Sequence, residues 1–358
     1  MSCTELNSIM EKQINLLKLL IATPSLSRTE EDAAQVIRQF LVDAKIPFST
    51  KMNNTWIKNQ FWKDGLPVIL LNSHIDTVKA ASGYTRNPFS PDVENGMLYG
   101  LGSNDAGGAL VTLLAVFTHF NLIRNLPFNL IFAATAEEEI SGLNGLVSIL
   151  EEIGPVDLAI VGEPTKMQMA IAEKGLMVLD CTAHGKSGHA AREEGENAIY
   201  KAIADIEKIR NFGFEKTSDI LGPVKMSVTM INSGTQHNVV PDTCTFVVDV
   251  RTNEHYSNKQ AFEIINQLVD SDVVPRSFRL NSSGIPVDHP IVKKGISLGL
   301  NYYGSPTTSD QAVIPYPSIK IGPGDSARSH TADEYILISE MEEGFRIYVD
   351  LLTGLQLR

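Results

Sequence analysis

The 358 residues of this chain exceed what one hydrophobic core usually supports, so one large domain or two moderate ones are expected. The apolar fraction of 43% is ordinary for a globular enzyme. A net charge of -12 disfavours nucleic-acid and anionic-membrane partners, since those surfaces need clustered lysines and arginines.

The cysteines and the N-terminal segment favour a cytoplasmic protein. Cys3, Cys181 and Cys244 form no CxxC pair, and the last two lie in strand-like runs, as expected of core residues. No run reaches the ~18 apolar residues that span a bilayer. The first apolar stretch is also too charged for a signal peptide, because it contains Glu5, Glu11, Lys12 and Lys18.

The N-terminal region predicts two helices. Apolar residues recur at helical spacing through "INLLKLLIA", and Pro24 ends that segment. Ser27 and Glu30 have the spacing of a capping box, which predicts a second helix through about Lys45.

Strands and helices then alternate. The predicted strands are "PVILLN", "FNLIFAAT" and "VDLAIVGE", and the predicted helices are "AGGALVTLLAVFTHF" and "GLVSILEEI". After about Gly284 the pattern returns with a helix in "PIVKKGISLGLN", a strand in "PSIKIG" and a helix in "SEMEEGFRIYVDLLTGL". Such alternation is typical of an α/β domain whose buried sheet is mostly parallel and carries helices on both faces.

The middle of the chain has a different pattern. "GLMVLDCTAHG", "VKMSVTMINSG" and "TCTFVVDVRT" read as long alternating strands, separated by two amphipathic helices. This order predicts an α+β unit with an open-faced sheet. We therefore expect residues 1–175 and 284–358 to form the first domain, interrupted by an inserted domain at 176–283.

Acidic or imidazole side chains follow several predicted strands of the first domain or begin its helix. In open parallel sheets, ligands bind outside the carboxyl ends of the strands, so loops at that edge would bring these residues together. Each alone has an ordinary structural explanation, but together they indicate a metal site. Imidazole and carboxylate ligands suit Zn²⁺, with Co²⁺ or Mn²⁺ as substitutes. The residues are His74, Asp105, Glu137, Glu138, Glu139, Glu163 and His330.

Asp76 is two residues beyond His74 and shares its face of an extended strand. We expect its carboxylate to accept the free N–H of His74 and fix the tautomer, as outer carboxylates do for metal-bound histidines.

The motifs carry a family resemblance. "SHIDTV", "YGLGSNDAGGAL", "ATAEEEISG", "VGEPT", "SGHAA", "HNVVPD" and "GPGDSARSH" occur in this order, from about residue 74 to 330. The series resembles that of the M20 metallopeptidases and deacylases. The resemblance implies two metal ions, one held by His74 and Glu163 and one by Glu139 and His330. Asp105 would bridge both ions.

The same resemblance implies that Glu138 is the general base, and that the Asp105–Ala106 peptide bond is cis. Two cations ~3.5–4 Å apart polarise a carbonyl and lower the pKa of a water molecule. Glu138 is next to the implied ligand Glu139 and is well placed to move the water's proton to the leaving amine.

The inserted domain resembles the family's lid and dimerisation domain, which implies a homodimer. His189 in "GKSGHAA" would stabilise the oxyanion in the partner subunit's site, assisted by Asn238. Arg251 matches the position that binds a substrate carboxylate, for which a guanidinium is suited. Gly324 in "GPGDS" matches a loop that contacts a carboxyl group through backbone N–H groups.

These motifs imply a zinc-dependent amidohydrolase acting on a small N-acyl amino acid. "GPGDS", the histidine six residues beyond Gly324 and "DEY" look closest to acetylornithine and acetyl-lysine deacetylases. We therefore expect hydrolysis of N2-acetyl-L-ornithine to ornithine and acetate, in arginine biosynthesis. Alternatives are N-succinyl-diaminopimelate or N-succinylornithine desuccinylation, a dipeptidase or tripeptidase, and a metal-free binding protein. A succinyl substrate needs a cation for its second carboxylate, with Arg86, Lys174, Arg192 and Arg328 as candidates.

Overall fold

The computed structural model describes residues 3–357, with side chains from Ile9 onward. The chain divides into two compact units. The first comprises Met1–Ile171, Ile285–Tyr303 and Ser309–Arg358, and the second comprises Ala172–Gly284 and Gly304–Thr308. The short segment 304–308 falls outside the range expected for the inserted domain. It groups with the second unit, where Lys174 donates its backbone N–H to the carbonyl of Ser305 at 3.0 Å.

The regular elements follow the alternation expected from the sequence. The helices are α1 (Cys3–Ala22), α2 (Glu31–Asp43), α3 (Gly108–Asn121), α4 (Leu150–Ile153), α5 (Ala198–Asn211), α6 (Asn258–Leu268), α7 (Pro290–Ser297) and α8 (Ile338–Leu352). The strands up to the second unit are β1 (Ser49–Lys51), β2 (Asn54–Lys58), β3 (Val68–His74), β4 (Val93–Glu94), β5 (Met97–Tyr99), β6 (Asn129–Thr135), β7 (Leu158–Val161) and β8 (Met169–Glu173). The later strands are β9 (Met177–His184), β10 (Gly188–His189), β11 (Lys225–Ser233), β12 (Val239–Val240), β13 (Thr243–Arg251), β14 (Asp272–Pro275), β15 (Ser283–Gly284), β16 (Tyr302–Ser305), β17 (Ser318–Lys320) and β18 (Tyr335–Leu337).

The sheet of the first unit has the strand order β1-β2-β6-β3-β7-β17-β8. Its centre is parallel, because β3 pairs in parallel with both β6 and β7, and β17 pairs in parallel with β7. The flanking strands β2 and β8 are antiparallel to their neighbours. The expected α/β architecture with a mostly parallel sheet is therefore confirmed. The register places His74 opposite Thr135, so β3 and β6 end together.

The central strands β3 and β6 are buried along their whole length and contain the apolar runs 68–71 and 130–134, as in parallel sheets covered by helices. Alternate residues such as Leu70, Ile131 and Val161 pack with Leu146 and Ile149 in one core cluster. The α3 helix contacts β3 and β6, and also packs with α1 and α8. This packing holds the strand ends in fixed positions.

The second unit contains a four-stranded antiparallel sheet in the order β11-β13-β9-β14. The α5 and α6 helices pack on it, since Ala202 and Ile265 share a core with Leu179, Phe246 and Val248. The two short strands β10 and β12 form a separate ribbon. No described helix is both long enough and apolar enough to cross a bilayer.

Two local predictions were wrong. Ser27 and Glu30 do not form a capping box, because their side chains bond elsewhere: the Ser27 hydroxyl donates to Asp76, and the Glu30 carboxylate accepts the N–H of Glu137. The helix expected in "GLVSILEEI" is reduced to a 3₁₀ turn at Leu146–Ser148 and the four-residue α4. Valine, serine and isoleucine are modest helix formers there, and the Ser148 hydroxyl bonds the carbonyl of Gly145.

Candidate metal centre

His74 ends β3 as a fully enclosed imidazole, with a side chain only 1% exposed. Its Nδ1 lies 2.9 Å from the backbone carbonyl of Asp76, which fixes Nδ1 as the protonated nitrogen. The opposite nitrogen, Nε2, is buried and has no hydrogen-bond partner among the described residues. It lies 3.4 Å from Asp105 Oδ1, 3.8 Å from Glu163 Oε1 and 3.9 Å from Glu138 Oε2. A free nitrogen facing three carboxylates has the arrangement of a metal ligand.

Asp105 faces both candidate histidines. Its Oδ1 lies 3.4 Å from Nε2 of His74, while its Oδ2 lies 3.7 Å from Nε2 of His330. Nε2 of His330 also lies 3.1 Å from Glu139 Oε2. The structure therefore brings together both ends of the bridging arrangement that the resemblance implies. The Asp105–Ala106 bond is cis, as the resemblance also implies.

Possible ligand atoms converge in two overlapping groups. Those of His74, Glu138 and Glu163 lie within 4.8 Å of one another, and those of His74, Asp105 and Glu139 do so as well. An imidazole with hard carboxylate oxygens is a donor set for Zn²⁺ or similar divalent ions. The unpartnered nitrogen of His74 supports the fit, so these residues could hold metal ions.

The carboxylates crowd one another electrostatically. Burial, reinforced by the charge of Asp105, raises the pKa of Glu163 to about 8, although His74 and Lys320 oppose that shift. Burial also raises the pKa of Glu138 well above its ordinary value, and Glu163 adds to the effect. The hydrogen bond that Nε2 of His330 donates to the Glu139 carboxylate raises the pKa of His330 to about 9. Protein groups alone leave excess negative charge here, which a cation would relieve.

Asp76 contacts the site differently from the expectation. The backbone carbonyl of Asp76 accepts the hydrogen bond from Nδ1–H of His74. The carboxylate Oδ1 of Asp76 is 3.6 Å from Nδ1, too far for a hydrogen bond. The carboxylate instead accepts the Ser27 hydroxyl at 2.6 Å and the backbone N–H groups of Glu138 and Glu139 at 3.0 and 3.2 Å. Asp76 thus joins the end of β3 to the turn that carries the candidate base.

Sequence reasoning assigned no role to Glu334, which holds the turn containing Asp105. Its buried carboxylate accepts the backbone N–H groups of Gly102, Asn104 and Asp105 at 2.8–3.2 Å. Its pKa is raised to about 7, chiefly by burial and partly by the charge of Asp105. The sequence feature that could have pointed to Glu334 is its place in "DEY", four residues beyond His330.

Asp310 was also missed. It is buried, and its Oδ2 accepts hydrogen bonds from Asn72 at 2.8 Å and Thr135 at 3.0 Å, near the ends of β3 and β6. Burial raises its pKa to about 6. Asp310 follows no predicted strand, so the pattern that found the other acidic residues did not apply to it.

Gly324 lies in a loop that is fastened to the candidate centre. Its φ is +93°, and a Cβ there would lie 2.5 Å from Oδ1 of Asn104, so glycine is required. That oxygen accepts the N–H of Asp325 at 3.0 Å. Gly324 also lines a cavity of about 560 Å³ whose walls include none of the five predicted ligands.

The other predicted substrate residues lie in the second unit. His189 is exposed on β10, and Asn238 is near it, because the carbonyl of Asn238 accepts the N–H of Ala190 at 3.0 Å. Arg251, at the end of β13, forms a two-point ion pair with Asp249, with N–O distances of 2.8 and 3.1 Å. Within its own unit, the guanidinium of Arg251 is therefore already engaged.

Comparison with known proteins gives a consistent family assignment. The model of "Peptidase family M20/M25/M40" matches residues 70–354. A succinyl-diaminopimelate desuccinylase of Wolbachia pipientis wMel is 26% identical over 277 residues, covering 73% of this chain and 69% of that protein. The succinyl-diaminopimelate desuccinylase of Buchnera aphidicola subsp. Acyrthosiphon pisum (strain Tuc7) is 27% identical over 297 residues, covering 78% of each. The solved Bacillus subtilis YXEP protein, a dinuclear metal binding peptidase from the M20 family, has a TM-score of 0.75 at 17% identity, covering 98% of this chain and 100% of that one.

Proposed function

Because this chain belongs to peptidase family M20/M25/M40, we propose that it hydrolyses the N-acyl amide of an amino acid, with N-succinyl-diaminopimelate as the substrate. The match to the family model confirms the family resemblance found in the sequence. The protein is an enzyme of a metal-dependent hydrolase family. The observation that carries the chemistry is Asp105, whose two oxygens face the imidazoles of His74 and His330.

The proposed ligands divide between two ions. His74 and Glu163 would hold one, Glu139 and His330 would hold the other, and Asp105 would contact both. When bound, divalent cations in this arrangement polarise an amide carbonyl and acidify the attacking water. Zinc suits the ligands best, and cobalt or manganese can replace it in such a set.

Glu138 is the proposed general base. Its carboxylate lies beside the ligand group, and the buried surroundings that raise its pKa favour proton uptake. Glu138 would take a proton from the attacking water and deliver it to the leaving amine nitrogen as the carbon–nitrogen bond breaks. The second proton of the water also passes to the amine, so the products are a carboxylate and an ammonium group, and atoms and charge balance. Asp76 would keep this base in place through its bonds to the N–H groups of Glu138 and Glu139.

The second unit is proposed to complete the site within a homodimer. His189 would stabilise the developing oxyanion, assisted by Asn238, and Arg251 would bind a substrate carboxylate. The exposure of His189 and its closeness to Asn238 support this proposal. Arg251 would have to exchange its partner Asp249 for the substrate. Gly324, beside Asn104, would present backbone N–H groups to a carboxyl group.

The choice of acyl group rests on the relatives. Both desuccinylases named above support a succinyl substrate, which the sequence motifs had ranked second to N2-acetylornithine. The motifs "GPGDS" and "DEY" keep N2-acetylornithine as the competing candidate.

The deciding experiment measures kcat/KM of the zinc-loaded protein for N-succinyl-diaminopimelate and for N2-acetylornithine, with chelator-treated protein as the control. We expect a ratio well above ten in favour of the succinyl substrate, abolished by chelation. A ratio favouring N2-acetylornithine would make that compound the substrate and leave the proposed mechanism unchanged. Purified protein without stoichiometric metal, and inactive after zinc loading, would contradict the proposal and favour a binding protein on this fold.

A further inference from the structure

A cavity of about 650 Å³ opens beside the candidate metal centre, and its walls include the proposed ligands Glu139 and His330. All of its lining residues belong to the first unit. Its volume is within the range of small-molecule sites. We infer that this cavity, the acyl pocket, binds the acyl chain of the substrate, and that Arg28 and Lys79 bind a carboxylate at the far end of that chain. The inference rests on the proposed function and specifies its substrate class.

The walls suit a short methylene chain. Leu26, Val78, Ala81 and Ile140 supply apolar surface, and Leu26 and Ile140 are 37% and 45% exposed. Exposed apolar surface next to polar groups commonly marks a ligand site. An acyl chain whose carbonyl carbon is at the metal centre would extend along this surface.

Arg28 and Lys79 are the cations of the acyl pocket. Both are exposed, and within residues 3–357 the structure shows no hydrogen bond, ion pair or ring contact for either side chain. An arginine and a lysine together can hold both oxygens of a carboxylate with charge-assisted hydrogen bonds.

The four cations put forward from the sequence are, in contrast, engaged elsewhere. Two of them combine an ion pair with a stacked aromatic ring, one is bonded to a backbone carbonyl, and one lies within 3.9 Å of a glutamate. They are Arg86 with Glu94 and Tyr99, Arg328 with Glu340 and Tyr335, Lys174 with Pro223, and Arg192 with Glu194.

The loop that carries Arg28 is fastened to the metal centre. The N–H of Thr77 donates to the carbonyl of Ser25 at 2.8 Å, and the Ser27 hydroxyl donates to Asp76 at 2.6 Å. Arg28 itself has a φ of +75°, a backbone conformation that non-glycine residues adopt only where the surroundings impose it. Asp76 therefore links the Arg28 loop, the segment leading to Lys79 and the turn carrying the proposed base. The backbone that carries the pocket is therefore fixed before a ligand binds, which lowers part of the cost of binding.

The test compares acyl groups on one amine. We would measure kcat/KM for N-succinyl- and N-acetyl-diaminopimelate with the wild type, Arg28→Gln, Lys79→Gln and the double variant. Glutamine keeps an unbranched, polar side chain while removing the charge, and the same replacement in the control variants allows for its shorter reach. Loss of a charge-assisted hydrogen bond corresponds to roughly 10–100-fold, so we expect that loss for the succinyl substrate and less than about threefold for the acetyl substrate. Arg346→Gln and Lys293→Gln are matched controls, since both residues are exposed outside the pocket.

Equal losses of kcat/KM for the succinyl and the acetyl substrate would overturn the inference. Arg28 and Lys79 would then bind a carboxylate of the diaminopimelate part or support the structure of the site. Unchanged kinetics in both variants would also overturn it. If the wild type prefers N-acetyl substrates, the proposed substrate fails, and the pocket is then tested separately by product inhibition. Succinate should inhibit the wild type more strongly than butyrate, which has the same length with one carboxylate fewer. That difference must disappear in the double variant for the inference to stand.

Discussion

One carboxylate in each unit is largely shielded from water, and the two have opposite environments. Asp205, in α5 of the second unit, accepts the N–H groups of Asp270 and Ser271, the Ser271 hydroxyl and the ammonium of Lys208. Burial alone would raise its pKa, but these donors lower it. The pKa of Glu163 in the first unit is instead raised to about 8. The donors around Asp205 mark it as structural, whereas the like charges around Glu163 mark it as a candidate ligand or base.

The largest effect that tests this contrast should come from Glu138→Gln. Removing the proposed base should lower kcat by about 10²–10⁴-fold, while the fold and the metal content measured by elemental analysis remain unchanged. Glu137→Gln is the matched control, because that carboxylate is occupied by the backbone and side-chain N–H groups of Asn144. Its kcat should stay within about tenfold of the wild type. A comparable loss in both variants would mean that the turn, and not the base, had been damaged.

Glu163→Gln should act in opposite directions with and without metal. In chelator-treated protein, folding raises the pKa of Glu163 to about 8, which costs stability at neutral pH; glutamine removes that cost, so Tm should rise by about a few degrees. In metal-loaded protein a ligand is lost, so metal content and Tm should both fall. Thermal unfolding and metal analysis are carried out on the chelator-treated and the metal-loaded protein. Glu151→Gln, at an exposed position of α4, is the control. A fall in Tm in both forms would place Glu163 with Asp205 among the structural carboxylates.

The contrast also explains which parts of the fold and of the candidate site could be predicted from the sequence. Strand ends are visible as changes from apolar to polar residues, so the mostly parallel sheet and the convergence of His74, Asp105 and Glu163 were predictable. Long-range hydrogen bonds leave no such pattern. Ser27 and Glu30 have the spacing of a capping box, and only the folded chain shows that they bond Asp76 and Glu137.

The buried carboxylates that hold the site in place could not be found from the sequence for the same reason. Asp310 and Glu334 act through atoms of residues that are more than 170 positions away, so neither has a local signature. The cations of the acyl pocket could not be chosen either, because pairing decides which cations are free. Arg86 and Arg328 are as plausible as Arg28 until their partners Glu94 and Glu340 are seen.

A smaller effect is expected from Asp205→Asn, which leaves the donors around Asp205 partly unsatisfied. The variant should lose about 1–3 kcal/mol of unfolding free energy at neutral pH, measured by urea denaturation. The folded pKa of Asp205 is lowered, so its contribution is present above the unfolded pKa and is lost as pH falls through the folded pKa. The gap between variant and wild type should therefore narrow as the pH falls through the lowered folded pKa of Asp205. Asp270→Asn, at a side chain 92% exposed, is the control. A gap that persists in acid would contradict the assigned cause.

The smallest effect should come from Ser27→Ala, which tests a carboxylate of the site that resembles Asp205. Burial alone would raise the pKa of Asp76, but His74, Ser27 and the N–H of Glu138 lower it. Removing the Ser27 hydroxyl leaves two backbone donors, so the loss should be about 0.5–1.5 kcal/mol of unfolding free energy with kcat nearly unchanged. Ser27→Thr keeps a hydroxyl and should recover most of that loss. If kcat instead falls as far as in Glu138→Gln, Asp76 is not a satisfied structural carboxylate, and the division between the two kinds fails inside the metal centre itself.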